Sequence, residues 1–266
     1  MMPLAEGDSG VLPGVAVTRY LTPLREGGSL PGLVEGDDLG TYVCKFRGAG
    51  QGPRVLAAEI IVGELARRIG LDTPRQVVLD LSPEIARYEA DEEVQDLLTA
   101  SVGSNLGSDF LPGSFGFDAH QESPSEVVST IVWLDAFCAN VDRSWRNPNL
   151  LWWGDALWVI DHGASLYFHH GWSGGLTDPE RFAAQPWDSS DHVLLRQADS
   201  LGTVDETLSA LVTPQLLTSV VDLVPDVWLE PVPGAESPAA VRAAYVAFLT
   251  ARLQTRQWLP GGGRRG

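Results

Sequence analysis

Apolar and polar positions change rhythm along the chain, and the changes mark out its elements. Val15–Tyr20 alternates well enough for a strand, Thr41–Phe46 is β-branched and aromatic, and Gln76–Leu81 reads as another strand. Leu33 and Val34 follow a turn-rich loop and precede the acidic turn Glu35–Asp38. Between the second and third strands, Val55, Leu56, Ile60, Leu65 and Ile69 recur at roughly helical spacing. Pro53 suits the first helical position, Arg67 and Arg68 the last turn and Gly70 the stop, so a helix is expected over 53–69. Pro83–Thr99 is expected to be helical, with the run Glu89–Glu93 as a solvated face. Ser101–Gly116 mixes glycines with Phe110 and Phe115, has no clear period, and reads as a connection.

The second half changes character. Ser123-Pro-Ser-Glu126 has the form of a capping box with proline at the first helical position, which predicts a helix from there to about Ala139. Val127, Val128, Ile131, Leu134, Ala136 and Phe137 make that helix nearly apolar throughout, so it belongs at the centre of the molecule. Leu150–Trp153 and Leu157–Ile160 flank Gly154-Asp155 as a hairpin. Further helices are expected at about 203–211, 214–223 and 238–257. With strands early and helices late the chain is α+β, and its 266 residues suffice for one large domain or for two lobes sharing a cleft, divided at 15–110 and 111–258 in the two-lobed reading, with flexible ends at 1–14 and 259–266.

Composition narrows the function. The formal net charge is −17, from 18 basic and 35 acidic residues, and such a surface repels phosphate backbones, which argues against general nucleic-acid binding. No apolar run approaches eighteen residues, so no membrane span is expected, and the first residues lack the basic start and apolar core of a signal peptide. The cytoplasm is the expected location. Cys44 and Cys138 lie in apolar contexts and are expected as buried, reduced thiols.

The chemistry-bearing stretch is Asn140–Asn149, with Asp142 and Asn147 five positions apart and Asp161 just beyond the hairpin. A phosphotransferase needs parts in this order: a carboxylate at the acceptor hydroxyl, an amide oxygen on Mg²⁺, and a second carboxylate bridging the metal to phosphates. Two upstream residues complete the set. Lys45 interrupts an otherwise apolar strand, and Glu59 sits inside the apolar helix between Ala57-Ala58 and Ile60-Ile61. A buried, unpaired carboxylate is costly, so Glu59 needs a cation, and Lys45 is the natural one. The bland solution is an exposed Glu59 paired with Arg54 or Arg67. Three rival motifs carry less. Gly48-Ala-Gly-Gln-Gly52 between strand and helix approaches a dinucleotide fingerprint, but with G-x-G-x-G spacing. Gly7-Asp-Ser-Gly10 echoes a serine-protease nucleophile but has no upstream His and Asp. His169 and His170 are adjacent, yet no Cys or carboxylate stands at metal spacing beside them.

Taken together, Gly27–Gly32, Tyr42–Phe46, Gln51–Glu59, Leu111–Gly113, Asn140–Asn149, Ile160–Gly163 and Tyr167–His170 resemble the HipA-like kinases, in particular a short, single-module branch. The resemblance spans about residues 15–170. It implies a bilobal protein-kinase-like fold using ATP and Mg²⁺, with a small β-rich N-lobe and a mainly helical C-lobe. Asp142 would be the catalytic aspartate, Lys45 would hold the α/β-phosphates and Glu59 would brace it. Asn147 and Asp161 would bind the metal, Asn149 being a second candidate amide. Gly28, Ser29, Phe110 and Leu111 would contact the nucleotide, with backbone groups near 107–111 meeting the adenine. The implied activity is phosphoryl transfer to a hydroxyl of a protein or small-molecule acceptor, most simply as a Ser/Thr protein kinase, the alternative being a nucleotide-binding partner module without turnover. The family's usual histidine two places after the catalytic aspartate is Ser144 here. At 266 residues the chain reads as the kinase module alone, so an antitoxin partner is not expected.

Overall fold

The computed structural model describes residues 10–24, 30–50, 52–87, 89–118 and 120–261. Gly28, Ser29 and the Gly7–Ser9 part of the protease-like motif lie outside the described residues.

Strands β1 (Gly14–Pro23), β2 (Gly32–Gly36) and β3 (Thr41–Lys45) form an antiparallel meander, and helix α1 (Pro53–Arg68) leads on to β4 (Gln76–Leu81). Helices α2 (Pro83–Arg87) and α3 (Glu92–Ala100) then precede β5 (Gly103–Asp109). The five strands close into a barrel in the order β1-β2-β3-β5-β4, with a single parallel pairing, β1 with β4. Alternation puts Val15, Val17, Val34, Tyr42, Cys44, Val77 and Leu79 inside, and α2 and α3 add Ala86, Val94 and Leu98 to the same cluster. This arrangement removes the dinucleotide reading. Strand β3 is antiparallel to both its neighbours, so no parallel βαβ unit surrounds the glycines. Gly48 serves packing instead, since a Cβ there would meet the Ala100 methyl and the Ser101 hydroxyl at 2.8 Å.

Strand β5 corrects the reading of 101–116 as a connection. Gly-Ser-Asn-Leu-Gly-Ser-Asp is poor in strand-forming residues, but the stretch pairs on both edges, with β3 and β4. Gly107 is required there, because a Cβ would stand 2.7 Å from the Leu79 side chain and 2.8 Å from that of Val77. The expected single helix over 83–99 is likewise two helices. Asp91 ends the break by capping α3, its carboxylate accepting from the Glu93 and Val94 amides, so part of the acidic run is a start signal rather than a helical face.

After the short strand β6 (Phe115–Gly116), helix α4 (Ser125–Cys138) begins one residue beyond the expected first helical position, Pro124. Pro124 is its N-cap and no side chain caps it, so Ser123-Pro-Ser-Glu126 resembles a capping box only in sequence. The helix closes on Ala139 in the left-handed conformation. The hairpin β7 (Leu150–Trp153) and β8 (Ala156–Val159) turns at Gly154-Asp155. A 3-10 segment over Tyr167–Gly174, helix α5 (Pro179–Ala183), and helices α6 (Leu201–Leu211), α7 (Pro214–Val221) and α8 (Pro238–Leu253) complete the chain. Helices α1 and α4 are buried nearly all round and belong to one large apolar cluster with these elements. Arg252 of α8, itself buried, donates to the carbonyls of Ala136 (2.6 Å), Phe182 (3.0 Å) and Gln185 (3.2 Å), which ties the last helix to α4. No helix among the described residues is long and apolar enough to cross a membrane. Both cysteines are free and buried, and burial raises both thiols' pKa values.

Candidate active site

Lys45 ends β3, Glu59 lies mid-way along α1, and Asp161 follows β8, 116 residues from the lysine. The structure brings the three together. The Lys45 ammonium donates to Glu59 Oε1 and, at 2.7 Å, to Asp161 Oδ1. The other Glu59 oxygen accepts the His162 amide at 3.0 Å, so both carboxylate oxygens are engaged. This is the pairing expected from burial, and neither Arg54 nor Arg67 takes the glutamate. Arg54 instead donates to the His169 carbonyl at 2.9 Å, linking the start of α1 to the Tyr167–Gly174 segment. Gly163 allows the close approach of α1, since a Cβ there would stand 2.6 Å from Val55 Cγ1 and 2.9 Å from Glu59 Oε1.

Electrostatics differ across this triad. Burial disfavours charge on Glu59 more than Lys45 favours it, and the carboxyl titrates at about 7. Asp161 is pulled the other way: the nearby ammonium outweighs desolvation and lowers it to about 2. Lys45 is raised because the two carboxylates overcome the cost of its burial. The site thus holds a fixed cation beside a carboxylate that stays ionised at neutral pH. The Asp161 side chain remains 45% exposed, so it is open to a ligand.

Asp142 stands on the loop that α4 delivers. Its Oδ2 accepts from the side-chain amides of Asn147 (2.7 Å) and Asn149 (3.2 Å), and its backbone N–H donates to Asn140 Oδ1 (3.0 Å). Asp142 Oδ1 and Asn147 Oδ1 have no hydrogen-bond partner among the described residues. The two asparagines therefore orient the aspartate while their own oxygens face elsewhere. Phe110 is partly exposed and Leu111 is buried at the end of β5. The expected backbone contacts over 107–111 need correction, because Gly107 and Ser108 pair within the sheet and the Asp109 and Phe110 amides donate to Arg75 and Thr41 carbonyls (2.9 Å each). The Asp109 and Phe110 carbonyls and the Leu111 N–H have no hydrogen-bond partner among the described residues.

Beneath the loop lies a buried polar network that the motif reading missed. Asp135 of α4 accepts from Arg143 Nε (2.6 Å), Asn140 Nδ2 (2.9 Å) and His192 Nε2 (2.9 Å). Arg143 and Asp135 side chains are fully buried. The signal was present in the sequence: a carboxylate inside an apolar helix, Leu134-Asp135-Ala136-Phe137, is the same anomaly that singled out Glu59.

Two buried histidines make stability depend on pH. Desolvation lowers His162 and His169 to about 3. The unfolded chain then binds more protons below about pH 6.5, so the stability these neutral imidazoles allow is lost as pH falls from there toward 3. Each contributes a loss of about 1 kcal/mol per pH unit in that window, and protonation of Glu59 offsets one of them between roughly 4.5 and 7. Urea-unfolding free energies are expected to fall by about 1 kcal/mol per pH unit between 6 and 5. His169→Gln is expected to flatten that slope.

The sequence profile of a family described as HipA-like kinase matches residues 17–258. The chain belongs to the HipA-like kinase family. It is accordingly a kinase by family, and its α+β architecture agrees. Among solved structures, the Helicobacter pylori proinflammatory kinase CtkA superposes with a TM-score of 0.55 and 11% identity, over 91% of this chain and 99% of that one, which shows a shared fold. The Golgi casein kinase gives lower scores: 0.45 with Mn/ADP bound (13% identity, 94% of this chain, 73% of that one), and 0.44 in a second structure (13%, 93% and 75%). No curated protein matches the chain.

Proposed function

We propose that this HipA-like kinase is an ATP- and Mg²⁺-dependent Ser/Thr protein kinase, with nucleotide held between the lobe of residues 15–110 and that of 111–258. The observation that carries this reading is the Lys45 ammonium held between Glu59 and the exposed carboxylate of Asp161. A divalent ion fits the donor set. Asp161 supplies an ionised carboxylate and Asn147 an amide oxygen without another partner among the described residues, both hard oxygen ligands. When bound, Mg²⁺ would neutralise charge developing on the transferred phosphoryl group.

The chain's own residues divide the remaining work. Lys45 draws the α/β-phosphates toward the triad, and Glu59, fixed by the His162 amide, keeps the ammonium aimed. Asp142, oriented by Asn147 and Asn149, offers its open oxygen to the acceptor hydroxyl and takes its proton as the acceptor oxygen attacks the γ-phosphorus, the bond from that phosphorus to the β–γ bridging oxygen breaking so that ADP leaves. The Phe110 carbonyl and Leu111 N–H are available to an adenine edge. Incubating the protein with γ-labelled ATP, Mg²⁺ and Ser/Thr-containing protein acceptors tests the reading. Label in phosphoserine or phosphothreonine supports it. ATP binding with label recovered only in small hydroxyl compounds would overturn the protein-kinase assignment.

A further inference from the structure

Asp142 with Asn147, and Asp161, reach the site on different stretches of chain, yet one buried side chain touches the backbone of both. Arg143 Nη1 donates to the Asn149 carbonyl and lies 3.3 Å from the Ile160 carbonyl and 3.4 Å from that of Pro148. These carbonyls belong to or immediately precede Asn149 (φ 50°) and Asp161 (φ 53°), both in the left-handed region. A non-glycine residue there is strained and persists only where its surroundings hold it. The guanidinium is itself held. Asp135 takes Nε at 2.6 Å, and Nη2 lies 3.4 Å from both Asp135 Oδ1 and His162 Nδ1. His192 Nδ1 accepts the Leu194 amide at 3.2 Å, which assigns the ring proton to Nε2 and makes that nitrogen a donor to Asp135. The loop is also pinned from outside, where Ser144 bridges His192 and the Val193 amide donates to the Arg143 carbonyl at 3.2 Å.

We propose that Arg143 is a positioning residue that sets the separation between the two halves of the metal site, Asn147 on one side and Asp161 on the other, with Asp135 and His192 holding its guanidinium. The inference rests on the kinase reading above. Only a planar fork reaches Asp135 and the Asn149 and Ile160 carbonyls together; a lysine at this position keeps the charge next to Asp135 but releases the carbonyls.

Arg143→Lys therefore separates positioning from charge. The test measures Mn²⁺ binding by calorimetry in the presence of a non-hydrolysable ATP analogue, and nucleotide binding in EDTA. The expected result is Mn²⁺ affinity about 10- to 100-fold weaker than wild type, with metal-free nucleotide affinity within about twofold. The Mg²⁺ concentration for half-maximal turnover should rise in parallel. A merely structural role would lower the melting temperature and leave the metal affinity of the folded protein unmoved, and that outcome overturns the proposal. If Arg143→Lys does not fold, His192→Gln, which retains an amide donor for Asp135, and His192→Ala form the second pair. Weaker Mn²⁺ binding in His192→Ala, restored in His192→Gln, supports the proposal, and equal affinity in all three proteins overturns it. Wild-type protein that binds neither nucleotide nor nucleotide-dependent Mn²⁺ would sink the kinase reading, and this inference with it.

Discussion

Asp142→Asn is expected to lower turnover by about 10³-fold while nucleotide affinity stays within a few-fold of wild type. The substitution is nearly isosteric. An amide oxygen can still accept from Asn147 and Asn149, so the loop keeps its shape, but the atom facing the acceptor no longer takes a proton. Single-turnover kinetics and equilibrium nucleotide binding, measured on the same preparation, check both halves. Equal losses in binding and turnover would point to a collapsed loop rather than a missing base.

Lys45→Met is expected to reduce kcat/KM for ATP by 100-fold or more, with a raised KM, because it removes the one cation that both Glu59 and Asp161 face in the triad. Two consequences distinguish this variant from Asp142→Asn. Glu59, already raised to about 7 by burial, loses the cation that lowers it most and is expected to become neutral at physiological pH. Asp161 loses the ion pair that holds it at about 2, so its titration moves up toward the ordinary carboxylate range. Steady-state kinetics over a range of ATP concentrations, with isotope-edited carboxyl titration, reads all three effects. A variant with wild-type KM would place the phosphates away from Lys45.

The parts of the site legible in the sequence were those where a residue's chemistry conflicted with its surroundings. Lys45 within an apolar strand and Glu59 within an apolar helix each carry a desolvation cost that only a partner relieves, and the structure pairs them. Asp135 presented the same conflict. It has no motif spacing to draw attention, and its partners Arg143 and His192 lie 8 and 57 residues away. Strand β5 was illegible for a different reason. Its residues have little strand preference, and its conformation is set by β3 and β4 on either side, which crowd out any side chain at Gly107. The capping-box pattern at Ser123 misplaced the start of α4 by one residue, because the chain uses Pro124 as the cap and turns Ser125 toward Ser200, 3.1 Å away. Local signals located α1, α4, α6, α7, α8 and the hairpin to within a few residues but not the break between α2 and α3 or the short α5; closure of the barrel depends on pairings that no local window contains.

The central claim is that nucleotide and metal meet at Asp161 beside Lys45. It is tested most directly by thermal unfolding of wild type and Asp161→Ala with ATP, with and without Mg²⁺. A ligand at one hundred times its dissociation constant stabilises by about 2.7 kcal/mol, enough for a clear rise in Tm. The account predicts a Mg²⁺-dependent rise in wild type that is lost in Asp161→Ala. The same Mg²⁺-dependent rise in both proteins, or none in wild type, would contradict it.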